Sequence, residues 1–391
     1  MSAPRTLPGL LMRNAAAMGA HPAVRQRRLG IWQTLSWAEF AALARRFALG
    51  LASGGFGPGC RLAVISEPSP EAYAALLAAQ SLGGASLPLD PDAEPTALAG
   101  LLNAAGISAV LIERREQAEA LLAASPRLTE TTRLIFQRAT GRAPERPGLQ
   151  GSAAVLAAGE AFAAAEPGYF EAALARRTEA ETAILLPDPA EPECIAITHA
   201  ALLHAAEALA ASERFGSNEQ AFSYLPLGFP AELVYSLALG LVCGFCCNFP
   251  ERPDTVPRDL REIGPTFLLA PPRALALLAD LSHRAETTPG LKRRAFRRFR
   301  AAALRAEALR AGDVPLPPSL RLTCLLGGWI IDRPLRDLLG LRRTRAVYVG
   351  PGAPDAEAAR LLRSLGVEVR PARFADAAEL GLRRARELSH V

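Results

Sequence analysis

Residues 183–203 read AILLPDPAEPECIAITHAALL. Two apolar runs, Ala183–Leu186 and Cys194–Ile197, bracket a turn-rich stretch from Pro187 to Glu193, and Thr198 opens an Ala/Leu-rich run through Ala211. The spacing predicts a strand, a loop and a second strand, followed by a helix with Thr198 at its N-cap.

Upstream of this hairpin the pattern alternates. Arg61–Ser66 reads as a buried strand, Pro70–Leu82 as a helix, Gly84–Leu89 as a strand, Pro95–Ala105 as a helix and Ser108–Ile112 as a strand. Gln117–Ala124 and Arg133–Phe136 add a further helix and strand, and Thr140–Gly151 reads as a loop. Such alternation predicts an α/β fold with doubly wound parallel sheets. Before it, Leu7–Met18 reads as an amphipathic helix, and Trp32–Trp37 as a short strand entering a helix capped at Ser36. Gly54–Gly59 (GGFGPG) precedes its strand instead of following it, so it reads as a turn and not as a dinucleotide fingerprint. Downstream, strands are expected at Ala221–Leu225, Gly244–Phe249, Thr266–Ala270 and Arg345–Gly350, with helices at Leu233–Leu241 and Pro257–Ile263.

A chain of 391 residues has room for two or three such subdomains. We place the first at 1–182 and the second at 183–391. The net charge of +5 argues for no nucleic-acid partner. Lys292 is the sole lysine and lies in a basic run, 292–310 (KRRAFRRFRAAALRAEALR), that reads either as a solvated helix packed on the domain or as a peripheral contact with an anionic membrane. The six cysteines sit mostly in apolar runs and read as buried thiols, with no metal expected at Cys243–Cys247. No signal peptide and no apolar run of membrane-spanning length is visible, which predicts a cytoplasmic protein, peripheral at most to the inner face of the membrane.

Taken with Tyr224–Leu227, Tyr235–Glu251 (YSLALGLVCGFCCNFPE), Pro271-Pro272-Arg273 and Arg333–Leu341, the hairpin resembles the long-chain acyl-CoA synthetase branch of the adenylate-forming (AMP-binding) enzymes. The resemblance implies two αβα subdomains like the N-terminal domain of those enzymes, lacking their barrel subdomain and C-terminal domain. It also implies a phosphate loop, TSGTTGxPKG in the family, ahead of the Thr198-His199 pair. Counted back without gaps, that loop falls on residues 185–194, where only Pro192 matches. There is no glycine, hydroxyl or lysine, three prolines lack an N–H, and Asp188, Glu191 and Glu193 add negative charge, so the loop is expected to bind no ATP. At the family's YGxTE position stands Arg373–Ala377 (RFADA).

On the resemblance, Phe229 guards an acyl tunnel with Glu232 nearby, Tyr235 follows on the same segment, and Gly350, Gly352 and Ala353 flank the acyl group; each also reads as plain scaffold. No catalytic, cofactor-binding or metal-binding residue is assigned. The expected role is a catalytically inactive pseudoenzyme that binds an acyl ligand or serves as a scaffold, with no cofactor. The alternative is an active long-chain fatty acid–CoA ligase completed by a partner chain, which would need ATP, Mg²⁺ and CoA. A hydrolase built on His199 or His204 lacks a GxSxG serine. The expected partners are a long-chain acyl ligand and a second copy or another protein covering the Arg345–Val391 side, since only a short helix from Asp376 to Leu388 stands where the family builds further units.

Overall fold

A computed structural model of the chain describes residues 4–125, 132–136, 149–187, 194–275, 301–302, 305–306, 309, 315, 317–327, 332–352 and 355–374. Its strands, in chain order, are β1 (Pro22–Arg28), β2 (Ile31–Ser36), β3 (Arg61–Ile65), β4 (Ala85–Leu89), β5 (Ala109–Ile112), β6 (Arg133–Phe136) and β7 (Leu149–Gly151). They continue as β8 (Thr182–Pro187), β9 (Cys194–Thr198), β10 (Gln220–Phe222), β11 (Cys246–Phe249), β12 (Phe267–Ala270), β13 (Ala346–Val349) and β14 (Glu368–Pro371). By their contacts the residues divide into two units, one of residues 1–218, 223–249 and 376–391, the other of 219–222 and 250–375.

The first unit holds a seven-stranded sheet in the order β7-β6-β5-β3-β4-β8-β9. All neighbours from β7 to β8 are parallel, and β9 returns antiparallel beside β8 because a short hairpin connection cannot make a parallel crossover. β3 and β5 carry apolar side chains on both faces, as strands covered by helices on either side must. β4 lies on one flank of β3 and β5 on the other, so the winding reverses at β3. The hairpin read after residue 182 thus extends the sheet begun at β3, so contacts do not break the chain at 182/183. Leu149–Gly151, read as the end of a loop, forms the edge strand through the pairing Leu134↔Leu149.

Local signals set the helix starts. Ser36 and Glu39 form a capping box at the helix Trp37–Ala52, and Ser69 followed by Pro70 opens Pro70–Ser81. Eleven of the twelve residues of that second helix are buried, which leaves it no polar face. On its other side β11, β1 and β2 lie side by side, β1 parallel to β11 and antiparallel to β2. Gly55 and Gly59, with φ of +85° and +81°, belong to the turn ahead of β3.

Within the second unit, β12, β13 and β14 form a parallel sheet, with the helix Ala356–Ser364 connecting the last two. β10 touches it where the Thr266 amide donates to the Gln220 carbonyl at 3.1 Å. Of the basic run 292–310, residues 301–302, 305–306 and 309 are described, with Ala302 and Ala306 buried; the rest lies outside the described residues.

Two helices the sequence reading left unassigned, Ser152–Ala165 and Tyr169–Ala175, complete the first unit. The former crosses Trp37–Ala52 through glycines: a Cβ at Gly159 would sit 2.1 Å from the Arg46 carbonyl oxygen, and one at Gly50 2.1 Å from that of Val155. Alanine in an open helix gains about 1 kcal/mol over glycine. Here the backbone contact reverses the sign, and Gly159→Ala should destabilise by about 1–3 kcal/mol. Urea unfolding of the variant checks this; a gain in stability would contradict the close crossing.

Candidate functional site

The hairpin β8–β9 pairs from Thr182↔Thr198 to Pro187↔Cys194, with a register shift between Thr182 and Ile184. Thr198 caps the helix His199–Glu213 by accepting the Ala201 amide at 3.2 Å. His199, buried, accepts the Leu7 amide at Nδ1 at 3.3 Å. Burial, reinforced by the Arg177 charge, lowers its pKa to about 3, so the ring is neutral and fastens the start of the first helix to the hairpin. That geometry gives His199 a structural task, while His204 is exposed. Residues 188–193 of the expected phosphate loop lie outside the described residues. Their chemistry (DPAEPE) supplies no hydroxyl, lysine or glycine and does not fit a triphosphate.

Beside the hairpin, the carboxyl ends of β4 and β8 open on a groove of 450 Å³. Leu89 and Pro187, the last residues of those strands, line it together with Ala97, Leu98, Leu101 and half-buried Phe229. Gly228 also lines it, and a Cβ there would make ordinary contact with the Pro88 carbonyl oxygen at 3.4 Å. A second groove of 450 Å³ shares Ala93 and Leu98 with the first and reaches Ile65 at the end of β3 and Arg114 after β5. Both therefore lie outside the carboxyl ends of the parallel strands, where open α/β sheets bind ligands.

Glu232 and Tyr235 line neither groove. They are wholly buried, in a helical stretch that passes from Pro230–Glu232 into a π-helical segment Leu233–Ala238. Glu232 Oε1 accepts from the Ser223 hydroxyl at 2.5 Å and from the Tyr73 hydroxyl at 3.4 Å, while its Oε2 is buried without a hydrogen-bond partner. Burial raises the carboxyl pKa to about 7, against the opposing pull of the Ser223, Ser236 and Tyr73 hydroxyls. The partners Tyr73 and Ser223 were not anticipated. The available signal was one tyrosine within the Ala/Leu run of Pro70–Ser81.

A pair of carboxylates also went unread. Glu113, after β5, accepts the Glu67 amide at 2.9 Å and the Ser66 hydroxyl at 3.3 Å. Glu67, after β3, has its pKa raised to about 7, first by burial and then by Glu113, Asp92 and Asp90.

Gly350 and Gly352 belong to the second unit. The Gly350 amide continues the sheet by donating to the Ala270 carbonyl at 3.0 Å, and exposed Gly352 adopts φ +109° with Pro272 Cγ 3.4 Å from where a Cβ would stand. Ala353 lies outside the described residues, as do 375–377 of the Arg373–Ala377 stretch. Phe374 is buried with φ +57°.

A model of the AMP-binding enzyme family matches residues 11–182 and 190–369, leaving out nearly all of β8 and the start of the loop. The long-chain-fatty-acid–CoA ligase ACSBG2 of Rattus norvegicus is 20% identical over 379 residues, 94% of this chain and 56% of that protein. The chain thus spans little more than half of its relative. Among solved structures, VinN superposes with a TM-score of 0.63 at 15% identity, covering 94% of this chain and 74% of that one. The N-terminal domain of FACL13 from Mycobacterium tuberculosis gives 0.63 at 15% identity, with 93% and 74% covered. A benzoate CoA ligase from Burkholderia xenovorans LB400 gives 0.62 at 17%, with 93% and 60% covered. The fold is therefore like the N-terminal domain of adenylate-forming enzymes.

The buried acids make stability depend on pH. A carboxyl whose folded pKa is raised from 4.5 to about 7 binds its proton more tightly in the native state, so its contribution falls as pH rises from 4.5 to 7. Glu232→Gln should match the wild type at pH 5 and exceed it at pH 8, by up to about 3 kcal/mol. His199 acts oppositely: its neutral form stabilises above pH 6.5, and that contribution is lost as pH falls toward 3. Thermal melts of wild type, Glu232→Gln and His199→Gln across pH 5–8 separate the two slopes, and a pH-independent difference for Glu232→Gln would show that the carboxyl is not held protonated.

Proposed function

Because this chain belongs to the AMP-binding enzyme family, we propose that it is a catalytically silent member that holds an acyl chain in the groove beside Phe229. The observation that carries the silent half is the loop between β8 and β9. Adenylation needs donors and positive charge around a triphosphate and the phosphorus under attack. Residues 187–193 (PDPAEPE) offer three prolines and three carboxylates instead. At an effective dielectric of 20, like charges about 4 Å apart repel by roughly 4 kcal/mol, so a few such contacts cancel ordinary nucleotide affinity.

The acyl half rests on the groove's lining. Apart from Asp90 and Gly228 its walls are prolines, alanines, leucines and Phe229, and its 450 Å³ lies within the size range of small-ligand sites. Each buried methylene contributes about 0.8 kcal/mol, so ten give roughly 8 kcal/mol before the losses of immobilisation. The ACSBG2 relative is named for ligating long-chain fatty acids, which supports the same ligand class here.

Titration calorimetry with MgATP should register no binding, and acyl-CoA formation should be absent with ATP, CoA and palmitate. Micromolar ATP affinity or turnover would overturn the silent reading in favour of an active ligase. A fluorescent long-chain acyl probe should bind the wild type, and Ala97→Trp should weaken it about tenfold or more by filling the groove from an exposed helix position. Equal binding by that variant would remove the acyl chain from this groove.

A further inference from the structure

The groove beside Phe229 is apolar along its walls but not neutral at its edge. Among its described lining residues Asp90 alone ionises, and no arginine, lysine or histidine stands with it. Asp90 follows Leu89, the last residue of β4, and is exposed. One of its oxygens accepts the Asp92 amide at 2.9 Å, which holds the carboxylate in the turn ahead of the helix Pro95–Ala104. A carboxylate has further lone pairs after one such bond, so Asp90 keeps both its charge and free acceptor capacity.

Its surroundings carry the same sign. β5, β3 and β4 lie side by side, and the segments leaving their carboxyl ends bear Glu113, Glu116 and Glu119, then Glu67, then Asp90, Asp92 and Glu94, against Arg114 and Arg115. Both arginines are already paired within this set, Arg114 with Asp92 at 2.9 Å and Arg115 with Glu119 at 2.7 Å. Half-buried Glu67 feels the excess: after burial, Glu113, Asp92 and Asp90 raise its pKa to about 7, with Arg114 opposing. Among the described residues no three His, Cys, Asp or Glu side chains are grouped so as to hold a metal ion. Spread carboxylates beside an apolar trough fit an organic cation carried on an alkyl chain, since a cleft lined by one sign of charge concentrates the opposite sign. Phe229 adds an aromatic ring to the same groove, the surface on which quaternary ammonium groups rest. A free fatty-acid carboxylate meets like charge and the loss of its hydration together. We propose, building on the acyl reading of this groove, that it selects a long-chain amphiphile with a cationic head, such as an acyl ester of a quaternary amino alcohol, and that Asp90 sets the preference.

Displacement of an uncharged fluorescent palmitoyl ester from the intact protein tests this, with palmitoylcholine and palmitate as competitors below their micellar concentrations. Palmitoylcholine should compete about tenfold better than palmitate or more at low salt, and the gap should narrow as salt is raised. Asp90→Asn keeps an oxygen for the Asp92 amide and should melt close to wild type. Its preference for palmitoylcholine should fall about fivefold or more, while the uncharged ester binds as before. Equal competition by palmitate, or an unchanged preference in Asp90→Asn, would overturn the charge selectivity and leave the acyl chain in the groove. Absence of binding by the uncharged ester would overturn both.

Discussion

A helix with no polar face has to be enclosed, and Pro70–Ser81 is such a helix. Its buried alanines and leucines pack against β3 and β4 on one side and β1 on the other, with the helices Leu7–Met18 and Trp37–Ala52 closing the flanks. Neither sheet of the first unit can cover it alone, so both must form around it. That requirement explains why Tyr73, its one aromatic side chain, finds hydroxyl and carboxyl partners inside the protein. It also explains why Glu232 is carried to full burial: the residue that answers Tyr73 and Ser223 must enter the same core.

Ligand-facing surface in this unit comes from strand ends more than from loops. Both grooves are walled by the last residues of parallel strands, and their shape follows from packing that the fold needs in any case. The acids Glu67 and Glu113, at the reversal point of the winding, occupy the place where an anionic ligand would be least welcome.

Much of this fold was legible because its signals are local. The helix Leu7–Met18, the Ser36 cap, the alternation through β3, β4 and β5, and the hairpin β8–β9 all declare themselves in periodicity, caps and turn residues. β1 did not: PAVRQRR has neither alternation nor an apolar run, and it becomes a strand by pairing with the adjacent β2 and with β11, more than two hundred residues away. The π-helical segment Leu233–Ala238 reads as ordinary apolar helix, since nothing in LVYSLA marks the wider turn. Of the site residues, Phe229 reaches a groove, whereas Glu232 and Tyr235 turn inward. Sequence spacing placed all three on one segment but could not say which way a buried carboxyl points when its partners sit on a helix and a strand end elsewhere in the chain.

The β8–β9 hairpin has an evolutionary consequence. Its ladder from Thr182↔Thr198 to Pro187↔Cys194 holds the two strands together, and the closure entropy of what joins them changes by only about 0.6 kcal/mol per doubling in length. The length of the connection between the two strands is therefore only weakly constrained by stability. The grooves are different in kind: to erase them, a lineage has to repack the ends of its central strands. Ligand cavities should for that reason outlast nucleotide loops when members of such a family diverge.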